Sequence, residues 1–305
     1  MCDWKKEFKE LLFSSADKEA KRQAFDLKEK NIPTQLFRYR PLNAYTLLEL
    51  ANETVYIQSP LNFNDPYDSW TKFSAMAGIR DNSSKKIFKD ALLPHYPENQ
   101  LDEIFKSPDW FENLYELVFQ STGIDVLNVA LQPTLEALNQ KAATTGQQIM
   151  KVCCFTEVNN SLAMWAHYAD EYAGICVEYD MTRFQCEDIQ RTRMFPVFYD
   201  AELADYTDYF LNNSFSPKKD IFLEGSLHKL SEWSYEREWR FNIGNGVFDE
   251  DVNYQFPAIS SIYMGYRLPD KYKASLLNIA QVKKYSLNTM KIMSYGIDYD
   301  TVYEP

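Results

Sequence analysis

The chain has 305 residues, of which 45% are hydrophobic and 15% aromatic, enough to bury a sizeable core, so disorder is excluded as its main state. Lys and Arg number 32 against 44 Asp and Glu, a formal charge of −12 that repels polyanions and argues against nucleic acid as a broad surface partner and against an anionic membrane. No run approaches the roughly 20 apolar residues of a bilayer span, and the charged start MCDWKKEFKELL lacks the apolar stretch of a signal peptide, so a cytoplasmic protein is expected.

Residues 1–33 read as a helical lead-in, with Phe8, Leu11, Leu12 and Phe13 on one side and a stop at Asn31-Ile32-Pro33, where the proline disfavours helix in the residue before it. A single α+β domain is expected over 34–295. It opens with a strand at LFRYR, a helix at AYTLLELAN that Asn43 can cap, and a strand at TVYIQS. PLNFNDPYDSW follows, with two prolines, two asparagines and two aspartates in eleven residues, a composition that forms Asx-turns and fixes a loop at a strand end.

From about 80 to 148 the periodicity is helical, broken by prolines and by Gly123 and Gly146, which predicts a helical insertion. IMKVCCFTE then reads as a buried strand, SLAMWAHYADEY as a helix and GICVEYD as a strand. After MFPVFYD a mostly helical stretch is expected over about 204–231, leading into WSYEREWRFNI. The remainder reads as a strand at SSIYMGYRL, a helix at DKYKASLLNIA, short strands at QVKKYSL and MKIMSY, and a tail over 296–305. Strands and helices mix without a strict βαβ repeat, so the fold class is α+β, a mixed, mostly antiparallel sheet with flanking helices.

The five cysteines, Cys2, Cys153, Cys154, Cys176 and Cys186, are odd in number and irregularly spaced, which suits reduced core residues rather than a disulfide framework. His95, His167 and His228 are far apart, so no metal is expected. Nine glycines and no Gly-rich loop disfavour phosphate binding of that kind.

If Ser234 to Ile243 is a strand, Trp239, Phe241 and Ile243 face a core while Glu236, Glu238, Arg240 and Asn242 share the opposite face. That face is either solvated, with Glu–Arg pairing worth about 0 to 1 kcal/mol, or the floor of a polar cleft holding a carboxylate for glycosyl, phosphoryl or metal chemistry. At Phe37 to Arg40, alternation puts Phe37 and Tyr39 on one face and Arg38 and Arg40 on the other. Two arginines at that spacing can take a phosphate bidentately, or pair with surface acids. In the 162–172 helix, Leu162, Trp165, Ala166 and Ala169 fall on one face and Met164, His167, Tyr168 and Glu171 on another, giving either a buried helix or a cleft lined by His167 and Tyr168. A thiol nucleophile at Cys153 or Cys154 with His167 is disfavoured, because an apolar run raises thiol pKa.

Together, FRYR, YIQSPLNFNDPYDS, CCFTEVNNSLAMWAHYADEYAGICVEYD, SLHKLSEWSYEREWRF and IYMGYRL resemble a bacterial family catalogued as domain-of-unknown-function family 2971. The likeness runs over roughly residues 35–268, and its hallmarks are the Phe-Asn-Asp-Pro loop, the Met-Trp-x-His-Tyr helix and the Trp-x-x-Glu-x-Glu-Trp-Arg strand. More distantly the pattern is similar to ADP-ribosyltransferases, whose split-sheet fold uses an Arg or His on an early strand, a Ser or Tyr in a middle element and a Glu on a late strand. That resemblance assigns Arg38 or Arg40, Ser59 or Tyr168, and Glu238 to those roles.

It implies NAD as substrate, a dinucleotide partner, an unknown macromolecular acceptor or simple hydrolysis, and a phage-defence or toxin-like effector. The catalytic set would be Glu238, Glu236, His167 and Tyr168. The ligand-binding set would be Arg38, Tyr39, Arg40, Ser59, Asn62, Asn64, Asp65, Trp165 and Arg240. Cleaving the nicotinamide–ribose bond builds oxocarbenium character that a carboxylate stabilises, with an arginine on the diphosphate and Tyr168 or Trp165 stacked on nicotinamide.

Two other readings stay open. A metal-dependent nuclease or phosphohydrolase would gather Asp65, Asp68, Glu236 and Glu238 around Mg²⁺, with Lys229, Arg237 and Arg240 attracting nucleic acid locally. A non-catalytic module would hold a ligand without turning it over. Strand spacing cannot separate Glu236 from Glu238.

Overall fold

The expected lead-in is two helices, α1 (Asp3–Phe13) and α2 (Lys18–Asn31), the second started by Asp17, whose side chain accepts from the Glu19 amide. The computed structural model describes residues 3–13, 17–72, 74–125, 132–207, 219–244 and 251–305; Cys2 and part of the expected 204–231 helical stretch lie outside them. Next come β1 (Gln35–Arg40), α3 (Ala44–Asn52) and β2 (Thr54–Ile57), with Asn43 capping α3 through the Thr46 amide as its side chain predicts. The Pro- and Asx-rich loop holds a single 3₁₀ turn, Pro60–Asn62.

The expected insertion is helical: β3 (Thr71–Lys72) is followed by α4 (Ala75–Arg80), α5 (Lys85–Leu92), α6 (Glu98–Lys106), α7 (Trp110–Thr122) and α8 (Gln132–Ile149). Then come β4 (Lys151–Thr156), α9 (Leu162–Tyr168), β5 (Ile175–Asp180), α10 (Ile189–Thr192), β6 (Met194–Pro196), β7 (Phe198–Asp200) and β8 (Ala204–Asp205). The stretch expected to be mostly helical over 204–231 contains β8, a seven-residue α11 (Lys219–Gly225) and β9 (His228–Leu230). The chain closes with β10 (Glu238–Ile243), β11 (Val252–Gln255), β12 (Ile259–Met264), α12 (Asp270–Lys283), β13 (Ser286–Met293) and β14 (Gly296–Tyr303). The expected tail is therefore an edge strand: its alternation is too polar to read as one, but it pairs with β13 along its length.

The contacts divide the chain into two compact units, one made of Met1–Ser69, Gln147–Glu202 and Lys219–Pro305, the other of Trp70–Gly146 and Leu203–Lys218. The second unit packs its helices around Leu101, Phe105, Trp110, Phe111 and Leu114 and contains the short parallel pair β3–β8. Among the described residues no helix is long and apolar enough to cross a membrane.

The first unit carries an eight-stranded sheet, order β14-β13-β12-β5-β1-β4-β10-β6, in which β12–β13 is parallel and the other neighbours antiparallel. The fold is α+β. Strand alternation sends Leu36, Val177, Phe155, Trp239 and Phe241 to the main core, where α3 and α12 contribute Leu50, Leu276 and Ala280. On the opposite face Phe37, Tyr39 and Cys176 pack against Met164, Trp165 and Ala169 of α9.

The turn after α9 is tight. Asp170, Glu171 and Tyr172 all have positive φ (48°, 49° and 71°), and the chain then passes so close to β1 that a Cβ on Gly174 would lie 2.2 Å from the Arg40 carbonyl oxygen. Gly265 is equally constrained, since its Cβ would meet the Tyr172 carbonyl oxygen at 2.0 Å. Without a Cβ at either glycine the chain can pass this close, and backbone bonds from Gly174 to the Ala169 carbonyl (2.7 Å) and from Gly265 to the Gly174 carbonyl (3.0 Å) close the turn.

Candidate active site

Strands β1 and β4 are neighbours that share one register pair, Phe37 opposite Thr156. Beyond it β4 takes a different partner: Gln58, just after β2, exchanges two backbone hydrogen bonds with Val152, at 3.1 and 2.8 Å. The sheet is thus split between β1 and β4. A cavity of about 310 Å³ is lined by both sides of that split, together with the Asn62–Asn64 loop, α9 and residues around β9 and β10. It is the size of a small-molecule site, at the low end of the usual range of about 300–1,000 Å³.

One wall is a cluster of buried charge. The Lys229 ammonium donates to Glu236 Oε2 (2.6 Å) and Glu238 Oε2 (3.1 Å) and lies 3.4 Å from Asp68 Oδ2. Arg240 uses all five of its N–H donors: Nε to Glu238 Oε1 (2.7 Å), Nη2 to Asp68 Oδ2 (2.7 Å) and Glu238 Oε2 (3.1 Å), Nη1 to Ser69 Oγ (2.9 Å) and the Ser226 carbonyl (2.6 Å). The solvated outer face is thereby excluded, since Glu238 is 3% exposed and Arg240 and Asn242 are 0%.

Glu236 reaches this cluster by a route that strand alternation does not describe. Ser231–Glu236 is a 3₁₀ turn ended by Arg237 in the left-handed region (φ 47°), and the strand begins only at Glu238. Tyr168 of α9 donates its hydroxyl to Glu236 Oε1 at 2.6 Å.

The two glutamates are driven apart in proton affinity. Burial would raise Glu238, but Arg240 and then Lys229 outweigh it and hold its carboxyl far below the usual range. Glu236 is raised, first by burial and then by the charge on Glu238, against the opposing pull of Lys229 and Tyr168. Three carboxylates face two cations in the cluster, and of the two glutamates it is Glu236 that holds a proton more strongly. Burial, then the Glu236 charge, also pushes the Tyr168 phenol up.

The other wall carries Arg38 and Arg40, on one strand face as alternation predicts. Both pair with the buried carboxylate of Glu49 on α3: Arg40 Nη2 donates to Oε1 at 2.6 Å, and Arg38 Nη1 lies 3.6 Å from Oε2. Arg38 Nη1 and Arg40 Nε are buried without a hydrogen-bond acceptor. Burial, then the charge of Arg38, depresses the Arg40 pKa.

Tyr39, Asn62, Asn64, His167 and Tyr168 also line the cavity. Tyr39 donates to the Val158 carbonyl at 3.1 Å, Asn62 Nδ2 donates to Asp251 Oδ2 at 3.2 Å, and Asn64 bonds Tyr168. Four expected ligand-binding residues lie outside the lining. Trp165 is wholly buried against Tyr39, its indole N–H on the Asn159 carbonyl. Ser59 caps the 3₁₀ turn and donates to the Gln147 carbonyl, and Asp65 accepts from the Tyr67 amide, so both shape the loop. Arg240 has no donor left for a ligand.

The Asp65 side chain accepts from the Tyr67 amide, while the other three carboxylates of the metal reading are bridged by Lys229 and Arg240. Among the described residues no group of three His, Cys, Asp or Glu is placed to hold a metal ion. Cys154 lines the cavity and bonds Glu238; burial pushes the Cys153 thiol to about 11 and Cys154 and Cys176 well above the usual value, which opposes a thiolate nucleophile.

Residues 164–241 match the family model described as "Protein of unknown function (DUF2971)". That span runs from α9 into β10 and so includes Tyr168, Lys229, Glu236, Glu238 and Arg240, but neither the arginine wall nor Asp68. No curated protein and no solved structure gives a match.

Glu49 was missed as a site residue. Its sequence signal is a carboxylate three residues after Thr46 and one before Leu50, on the inward face of AYTLLELAN, where a buried charge requires a partner. Lys229 stood out in the family pattern and as a local attractor of nucleic acid, not as the partner of Glu236 and Glu238.

Proposed function

We propose that the cavity binds a small anionic, ring-bearing nucleotide and cleaves its N-glycosidic bond, with NAD as the substrate, in ADP-ribosyl transfer or NAD hydrolysis. One observation carries this reading: two carboxylates on one ammonium, displaced to opposite sides of the ordinary glutamate value, at a cavity whose far wall holds unpaired guanidinium donors.

In this mechanism the C–N bond to nicotinamide breaks and the ring leaves neutral with the electron pair. Glu238, held ionised by Arg240 and Lys229, stabilises the oxocarbenium charge left on the ribose. Glu236 in its carboxylate form takes the proton of the incoming hydroxyl, amine or water as the new bond forms; its raised proton affinity suits a base, and Tyr168 orients it. The setting proposed is the bacterial cytoplasm, in a phage-defence or toxin-like effector.

The test is calorimetric titration with NAD and a nicotinamide-release assay, with and without cell lysate, on the wild type, Glu238→Gln and Glu236→Gln. Saturable binding with release lowered about 10²–10⁴-fold in each variant is expected for a positioned acid or base. Neither binding nor release at millimolar NAD would sink the reading, and binding without release would make the protein a ligand-binding module.

A further inference from the structure

Arg38 and Arg40 stand at i and i+2 on β1, so both guanidinium groups leave the same strand face, and both line the cavity. Arg38 is 7% exposed, yet its Nη1 has no hydrogen-bond acceptor, and neither does Nε of Arg40. Buried N–H donors of a charged group are costly to leave unpaired. Two such groups on adjacent arginines, at a cavity wall, call for an acceptor with several oxygens, and a phosphate supplies that geometry.

Glu49 sets the charge of this corner. Its two carboxylate oxygens face one arginine each, at 2.6 and 3.6 Å, from a helix fixed by its own Asn43 cap and by the Thr46 hydroxyl on the Pro41 carbonyl. Two guanidinium charges less one carboxylate leave +1. A singly charged phosphate group neutralises that. A phosphomonoester, at about −1.5 to −2 near pH 7, would leave excess negative charge beside a buried carboxylate, where desolvation makes like charge expensive.

We propose that Arg38, Arg40 and Glu49 form a phosphate subsite at the β1 wall, and that Glu49 is its specificity-determining residue, selecting the singly charged phosphate of a diester or diphosphate link over a dianionic phosphomonoester. The subsite rests on the reading of the cavity as a nucleotide site and adds the form in which the phosphate must be presented. It makes Glu49 a positioning residue for the arginines as well as the source of charge selectivity.

The experiment is calorimetric titration at pH about 7.5, where the monoester is mostly dianionic, with adenosine 5′-monophosphate and its methyl phosphodiester. These share every atom except the ester methyl and differ in charge. In the wild type the diester is expected to bind about tenfold more tightly, and Glu49→Gln is expected to abolish or reverse that preference. Arg38→Gln and Arg40→Gln should each weaken diester binding by roughly ten- to a hundredfold, the scale of a hydrogen bond to a charged group. Thermal melts accompany each variant; should Arg38→Gln fail to fold, Arg40→Gln and Arg40→Lys, at the more exposed guanidinium, carry the test.

Equal affinity for the two ligands in both the wild type and Glu49→Gln, or unchanged binding in the folded arginine variants, overturns the subsite. If nicotinamide release fails while diester selectivity stands, the glycosidic reaction falls and the subsite remains. If NAD is turned over without diester selectivity, the subsite falls and the reaction remains.

Discussion

At the carboxylate wall, Arg240 directs five N–H groups to Glu238, Asp68, Ser69 and Ser226; at the arginine wall, Arg38 and Arg40 share the single carboxylate of Glu49 and leave donors without acceptors. Both walls bury charge, and the difference lies in saturation. A saturated network fixes geometry, because every donor that moves loses a partner in a medium where unpaired groups are costly. An unsaturated one has affinity left over, and a ligand can realise it. On the proposed reading, the first wall holds reacting groups in place and the second recruits what they act on.

The largest test of that contrast is removal of the saturating residue. Arg240→Met leaves Asp68 and Glu238 facing Lys229 alone, and we expect a loss of about 3–5 kcal/mol in urea unfolding, the cost of breaking a buried pair from one side. Retention of stability within about 1 kcal/mol would show that the cluster is less dependent on its arginine than the bonds imply. At the other wall Arg38→Met should cost less, about 1–3 kcal/mol, because Arg40 still holds Glu49 at 2.6 Å and what is lost is a bond to Tyr179 and a 3.6 Å approach to Glu49. Equal losses at the two walls would erase the distinction between them.

The smallest effect expected is in pH dependence. Folding raises the Glu236 pKa, so the native state favours its protonated form; that contribution is whole below the ordinary glutamate value of 4.5 and is lost as pH rises through the folded-state value. Glu238 behaves in the opposite sense, contributing above the ordinary value and losing its contribution as pH falls through its lowered one. Urea midpoints from pH about 4 to about 7 should accordingly decline less with rising pH in Glu236→Gln than in the wild type. Parallel profiles would place the cluster's proton elsewhere.

Periodicity made the α+β class, the strand–helix–strand start, the helical stretch and the two faces of β1 legible, because each is local and each has an apolar side. What escaped was set by long-range partners. WSYEREWRF alternates well enough to read as one strand, and nothing within it shows that Arg237 turns left-handed so that Glu236 can meet Lys229 and Tyr168. Trp165 looked like a stacking ring because its helix is aromatic on every side; only the packing of α9 on Tyr39 shows it to be core. GIDYDTVY is too polar to announce a strand, yet pairing with β13 makes it one.

The exchange of partners by β4, from Phe37 to Gln58, has a mechanical consequence. An opening in a sheet ordinarily means that ladder bonds were sacrificed or must break to admit a guest. Here the Val152 amide and carbonyl, which would otherwise face that opening unbonded, are committed to Gln58. A ligand entering between the strands has no zipper to undo, and amide exchange at Val152 should be as slow with the cavity filled as without.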